Sequence, residues 1–390
     1  MLDFGIILIG GYIFQVIFEK LKLTKVFGMI IYGMLIGPYA LNLLSTQALS
    51  LSSTMRTMAL LIVLTRAGLS LRFSDLKQMG RPAICLTFVP ALFEIAGVVF
   101  FATQVLKISL LDALMLGSVL AAVSPAIIVP RMIYLMDEKY GEKHKIPQMI
   151  MAGASVDDVV VMVLFSSFIS LSVKNTIELS TLINLPISII LGVLIGCIIG
   201  WILSKVLKNV VLKEVRLLIV FSAILLVYGL QTPLENILPY ASLLSVMSLA
   251  MIVNEKLPQH GEVLIDQFKG MWFFAEIFLF VYLGTEVNIQ VLSMIEPTYI
   301  VLILFALSIR LLGVYVSLFK TKLTSKEKLF CMIAYIPKAT VQAAIGGIAL
   351  SMNLEIGQFI LIMAVLSILI SAPLGAIGID QSYKKLLEKN

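Results

Sequence analysis

Apolar residues recur in long blocks, separated by short clusters that hold most of the charges. The pattern predicts helical spans at 4–20, 26–42, 56–71, 82–106, 109–132, 146–172, 183–206, 213–231, 236–254, 267–284, 297–319, 327–352 and 356–378. A membrane span takes about 20 apolar residues, so a chain of this length accommodates about 13 of them. The first block begins at Phe4 with no basic stretch before it, which suits a first membrane helix better than a cleavable signal. No extended polar domain interrupts the series. The longest polar loop runs from Asp137 to Ile146.

Composition agrees with the pattern. Of 390 residues 60% are hydrophobic and 13% charged, and mean hydropathy is +1.04. A soluble domain is about 25% charged. A soluble enzyme, a disordered chain, a coiled coil and a nucleic-acid-binding domain are excluded. There is no Walker motif, so ATP is not an expected partner. Cys85, Cys197 and Cys331 sit in apolar blocks and read as packing residues. His144 and His260 lie in separate polar loops, which leaves no zinc site or catalytic triad.

The 29 Lys and Arg residues test the span count. Of these, 24 follow odd-numbered spans or lie in the C-terminal tail. After even-numbered spans there are only Arg56, Lys107 and Lys174. Basic residues concentrate on the cytoplasmic side. The expected arrangement is therefore an outside N-terminus and a cytoplasmic C-terminus. The net charge of +6 is accounted for by topology.

Six ionisable residues fall inside apolar spans: Glu94, Asp157, Asp158, Glu276, Arg310 and Lys338. Each costs about 2.5–3.5 kcal/mol on insertion scales, and such residues mark ion pathways. Asp157 and Asp158 are adjacent in the sixth span. Neighbouring helical positions point about 100° apart, so one carboxylate can meet a buried partner while the other faces a watery path. Two carboxylates in low dielectric resist joint ionisation. They can trade protons for a cation that prefers oxygen ligands. Lys338 follows Pro337 in the twelfth span, and either aspartate is its natural partner. Ser124-Pro125, with Pro130 beyond, interrupts the fifth span and frees carbonyls for an ion.

The two interruptions lie seven spans apart, an odd number, so the halves around them run in opposite directions. Glu94 precedes Pro125 by 31 residues, and Arg310 precedes Pro337 by 27. These matching positions predict an inverted repeat: residues 1–182, a linker helix at 183–210, residues 211–380 and a tail at 381–390, all in one membrane unit. Glu94 and Arg310 should form an intramembrane pair, structural or coupling in role. Glu276 has no evident partner and reads as a protonated packing residue or an additional proton site. Glu286 is expected near the outer interface. Gly28, Gly33 and Gly37 suggest close helix packing.

The segments Ala-Val-Ser-Pro-Ala-Ile-Ile-Val-Pro, Asp157-Asp158, Gly-Thr-Glu-Val and Pro-Lys-Ala-Thr-Val-Gln-Ala-Ala-Ile-Gly resemble the sodium/proton exchanger family. The likeness is to its cation:proton antiporter-2 branch and, within that, to NHA-type exchangers. It implies an all-α polytopic membrane protein with the NhaA-like antiporter fold, in which two broken helices cross. It implies a homodimer with an elevator-like core, exchanging Na⁺ or Li⁺ for H⁺ by alternating access, with no cofactor beyond the transported ions. It places the main cation ligand on Asp158, lets Asp157 pair with Lys338, and matches Glu94 and Arg310 to charged positions. Glu276 departs from the family pattern. The residues also permit a sodium-coupled symporter of an organic anion, although few polar side chains remain to line a larger cavity. A bacterial inner (plasma) membrane is the expected location.

Overall fold

The computed structural model describes the backbone of residues 1–21, 25–70, 73–174, 179–234, 238–287 and 296–389. Side chains are described for these except 73–79, 126, 130, 133, 137, 155–156, 159, 170, 173–174, 179–186 and 189. Lys22 and Arg72, and the side chains of Lys77, Pro130 and Lys174, lie outside the described residues.

The described residues are helical almost throughout. In order they form α1 (Leu2–Lys20), α2 (Lys25–Ile36), α3 (Thr46–Ser50), α4 (Ser52–Leu69), α5 (Phe73–Gln104), α6 (Leu110–Leu120), α7 (Pro125–Asp137), a 3-10 turn (Glu142–His144) and α8 (Ile146–Lys174). Then come α9 (Leu179–Lys208), α10 (Lys213–Gly229), α11 (Gln231–Leu234), α12 (Ser242–Lys256) and α13 (Pro258–Glu286). The last are α14 (Pro297–Ser317), α15 (Ser325–Ala334), α16 (Thr340–Ile345), α17 (Ile348–Ser351) and α18 (Gly357–Leu386). Among the described residues seven helices are long and apolar enough to cross a membrane, and shorter apolar helices account for further expected spans.

Boundaries shift from the sequence expectation in instructive places. The third span begins earlier, at Ser52, which brings Arg56 inside a helix and buries it. The tenth begins at Pro258, so His260 lies in a helical first turn and not in a loop. A proline at the first helical position fits because its missing N–H has no partner to lose there. Helix α5 bends at Gly80, whose φ of 63° favours a residue without a side chain, and the apolar stretch runs from there to Gln104. Helix α18 continues to Leu386.

By contacts the chain divides into two compact units. One comprises residues 1–57, 79–168 and 275–390. Its interior includes Met132, Leu135, Ile150, Phe330, Cys331 and Tyr335, where α7, α8 and α15 bury their apolar faces together. Gly28, Gly33 and Gly37 pack tightly, as expected. A Cβ at Gly28 would lie 2.6 Å from the Phe14 carbonyl, and one at Gly33 would lie 2.1 Å from the Val281 carbonyl.

The second unit comprises residues 58–78 and 169–274. There Gly192, Gly196 and Gly200, one per turn of α9, let its backbone lie against Ala241, Ser245 and Leu249 of α12. The other face of α9 leaves Ile190, Leu194 and Ile198 more than half exposed. A stripe of large apolar side chains suits hydrocarbon and would be a liability in water.

Both expected interruptions are present. Helix α6 stops at Leu120 and α7 starts at Pro125; α15 stops at Ala334 and α16 starts at Thr340. The two gaps cross, because the Ser124 amide donates to the Pro337 carbonyl at 2.8 Å. Irregular backbone at membrane depth must satisfy its polar groups inside the protein, and the side chains around the crossing do so.

Candidate functional site

Every residue of the candidate site lies in the first unit. Asp157 and Asp158, in α8, are buried. The Asp157 Oδ2 accepts a bond from the Val123 amide, at 3.2 Å in the first gap, and one from Arg310 Nη2 at 2.8 Å. Arg310, in α14, is fully buried and spreads its fork across several acceptors. Its Nη1 meets Glu94 Oε2 at 3.1 Å and also donates to the Ala121 carbonyl; its Nε donates to the Tyr335 carbonyl at 3.1 Å. Guanidinium geometry suits such multiple contacts.

Glu94, in α5, serves two cations. Its Oε1 lies 2.6 Å from Lys338 Nζ. Lys338 also donates to the Leu120 carbonyl, the last of α6. Gln342 donates to the Ala122 carbonyl at 2.8 Å, and Ser124 Oγ lies 3.4 Å from Thr340 Oγ1. In the first gap the Leu120, Ala121 and Ala122 carbonyls are thus met by Lys338, Arg310 and Gln342 and the Val123 amide by Asp157; in the second, Arg310 meets the Tyr335 carbonyl and the Ser124 amide meets that of Pro337. The buried charges form one chain: Lys338, Glu94, Arg310, Asp157.

This geometry corrects one expectation. Lys338 pairs with Glu94 and not with Asp157; the cation on Asp157 is Arg310. The cause is the crossing, which sets the residue after Pro337 beside the end of α6 and within reach of α5. The Glu94–Arg310 pair forms as expected, but it belongs to the same network as the aspartate pair.

Asp158 stands apart. It makes no hydrogen bond or ion pair with any described residue, and its Oδ1 is buried without a partner. Asp157 Oδ1 is also buried and open. Two carboxylate oxygens on adjacent residues of one helix are thus left without protein donors, beside a network whose two anions and two cations already match. That arrangement can accept a small cation or a proton. It offers little to a large solute.

Glu276 lies in α13, and its carboxylate is bonded to Lys25 at 2.5 Å. Sequence alone hides this partner, because Lys25 reads as a loop charge. Three further residues escape the sequence reading. Thr340 and Gln342 are visible as polar residues beside Pro337, but nothing in the sequence assigns them a role. Arg56, which also reads as a loop charge, pairs with Glu286 at 2.8 Å. Its scarcity on the basic-poor side is the one available signal.

Residues 4–380 match the family profile described as sodium/hydrogen exchanger, transmembrane. The Xenopus tropicalis sodium/hydrogen exchanger 9B2 is 30% identical over 87% of this chain, and the alignment spans 65% of that relative's length. The human sodium/hydrogen exchanger 9B1 is 30% identical over 98% of this chain and 76% of its own. Among solved structures, the sodium proton antiporter MjNhaP1 from Methanocaldococcus jannaschii at pH 8 superposes with a TM-score of 0.87. It covers 98% of this chain and 97% of that one at 19% identity, a likeness of fold. An all-helical, many-span architecture, a crossing of two broken helices and a match over nearly the whole length agree: the chain belongs to the sodium/hydrogen exchanger family.

Proposed function

We propose that this chain exchanges Na⁺, and Li⁺ with it, for H⁺ across a membrane, with Asp158 as the carboxylate on which the two compete. The observation that carries the reading is the partnerless Asp158 oxygen beside an already neutral network. Where protons are scarce, Asp158 is ionised and takes the cation, helped by Asp157 Oδ1 and by the Ser124 and Thr340 hydroxyls at the crossing. Where protons are plentiful, a proton displaces it. Alternating access then follows from an elevator-like shift of the site.

The same network supports an electroneutral stoichiometry. Lys338 is held by Glu94 and the Leu120 carbonyl, so its charge persists whether Asp158 holds Na⁺ or H⁺. Both loaded forms carry equal charge, and exchange is electroneutral. The Asp157-Asp158 pair and the Pro337-Lys338-Ala339-Thr340 stretch support assignment to the cation:proton antiporter-2 branch, as an NHA-type exchanger. We also assign the inverted repeat (1–182 and 211–380, with 183–210 as linker), a homodimer, and an inner (plasma) membrane with the C-terminus cytoplasmic. The basic-residue asymmetry supports that orientation.

The test is Na⁺-driven dissipation of a pH gradient in proteoliposomes, with Li⁺, K⁺ and choline beside Na⁺. Wild type should respond to Na⁺ and Li⁺, and Asp158→Asn to none. An imposed potential clamped with valinomycin should leave the wild-type rate unchanged. Exchange that persists in Asp158→Asn would overturn the ligand assignment, and a rate that follows the potential would overturn the electroneutral cycle.

A further inference from the structure

Arg56 is 3% exposed, yet it is absent from the charge network at the crossing. It sits in the second turn of α4. Its Nη2 lies 2.8 Å from Glu286 Oε1, and its Nη1 donates to the Ala343 carbonyl at 3.3 Å. Ser52, one turn earlier, donates to the same carboxylate oxygen at 2.8 Å. Glu286 is the last residue of α13. Ala343 belongs to α16, the short half-helix that begins at Thr340 beside Ser124. Three elements thus meet at one ion pair.

The pair also shapes the backbone it touches. A Cβ at Gly347, two residues past α16, would lie 2.3 Å from Glu286 Oε2 and 2.9 Å from Arg56 Nη1. The glycine makes room for the pair. Carbonyls in the last turn of a helix lack internal partners and carry partial negative charge. A guanidinium bonded there satisfies one of them and holds the end of the half-helix in place.

The location matters for the cycle. Arg56 lies on the side that the basic-residue count assigns to the exterior, where a cation has no topological reason to be. The opposite end of the broken helix carries Lys338. A contact that fixes the outer end of α16 therefore acts on the same short helix whose first residue faces the ion site.

We propose that Arg56 and Glu286 are positioning residues for exchange: as a closed clasp they hold the outer end of the second broken helix and set how often the site opens to the exterior. Opening outward breaks the clasp, and closing re-forms it. This rests on the exchange reading above. The clasp touches neither the transported cation nor Asp158, so neutralising it leaves the site able to bind.

The experiment compares right-side-out with everted membrane vesicles, and reads the apparent KM for Na⁺ from each face. Wild type, Arg56→Gln, Glu286→Gln and the double variant are measured. Breaking one ion pair shifts a two-state equilibrium by roughly tenfold for each 1.4 kcal/mol lost. The expected result is a change of at least about fivefold in the ratio of outer to inner KM for each single variant, with no further change in the double variant, as a double-mutant cycle requires of a coupled pair. Arg56→Lys, which keeps the charge, should lie closer to wild type than Arg56→Gln. Amide hydrogen exchange over residues 343–351 should quicken in Arg56→Gln without any transport being measured. An unmoved KM ratio, or single effects that simply add, would overturn the clasp. Wild-type vesicles without Na⁺-dependent proton movement would instead overturn the exchange reading on which it rests.

Discussion

Glu94→Gln is the substitution that separates the observed pairing from the one the sequence suggests. Glu94 holds Lys338 at 2.6 Å and Arg310 at 3.1 Å, all three buried. Without its charge, Arg310 keeps Asp157 at 2.8 Å and the Tyr335 carbonyl at 3.1 Å. Lys338 keeps the Leu120 carbonyl and no anion. Removing one partner of a buried pair costs about 3–5 kcal/mol; Gln retains one acceptor, which puts the expected loss near the lower end, about 3 kcal/mol. Asp157→Asn orphans only one arm of Arg310, which still has Glu94, so its cost should be about 1–2 kcal/mol. The assay is equilibrium unfolding in mixed micelles, followed by the fluorescence of Trp201 and Trp272. Glu94→Gln should be the less stable variant, and Lys338→Met on that background should recover much of the loss, because the orphaned ammonium is gone. If Asp157→Asn is the more damaging change, and Lys338→Met rescues it and not Glu94→Gln, the pairing of Lys338 with Glu94 is wrong.

Two further outcomes are read from unfolding in micelles and from ion flux in proteoliposomes, respectively. Gly33→Ala drives a methyl group to within 2.1 Å of the Val281 carbonyl, which is backbone and cannot turn aside, so it should cost about 1–3 kcal/mol; Gly229→Ala, where nothing lies within 4 Å, is the matched control. Equal stabilities for the two would refute the close packing of α2 against α13. Glu276→Gln should leave the ratio of protons to Na⁺ unchanged, because Glu276 is engaged by Lys25, whose side chain is 35% exposed and can turn to water. A proton flux that falls relative to Na⁺ flux in this variant would instead make Glu276 a transported-proton site.

The spans were legible because lipid imposes a length and a hydrophobicity that the sequence must write out residue by residue. The breaks were legible because a proline cannot donate, so Pro125 and Pro337 mark the gaps directly. The charged residues were legible one at a time, since each is costly in an apolar span. What the sequence cannot write is partner choice. Lys338 goes to Glu94 because two backbone gaps cross at Ser124 and Pro337, and that contact joins residues more than two hundred positions apart. Arg56 was hidden for a related reason. A single arginine near the start of an apolar block reads as a loop charge until a carboxylate from α13 and a carbonyl from α16 arrive beside it. Partner choice then decides the chemistry. With Lys338 on Asp157, a cation entering the aspartate pair would compete with the ammonium, and transport would move net charge. With Lys338 on Glu94 and Arg310 on Asp157, the fixed charges cancel among themselves. One buried carboxylate, Asp158, is left outside that balance, and in the proposed cycle either Na⁺ or H⁺ fills it with the same single charge.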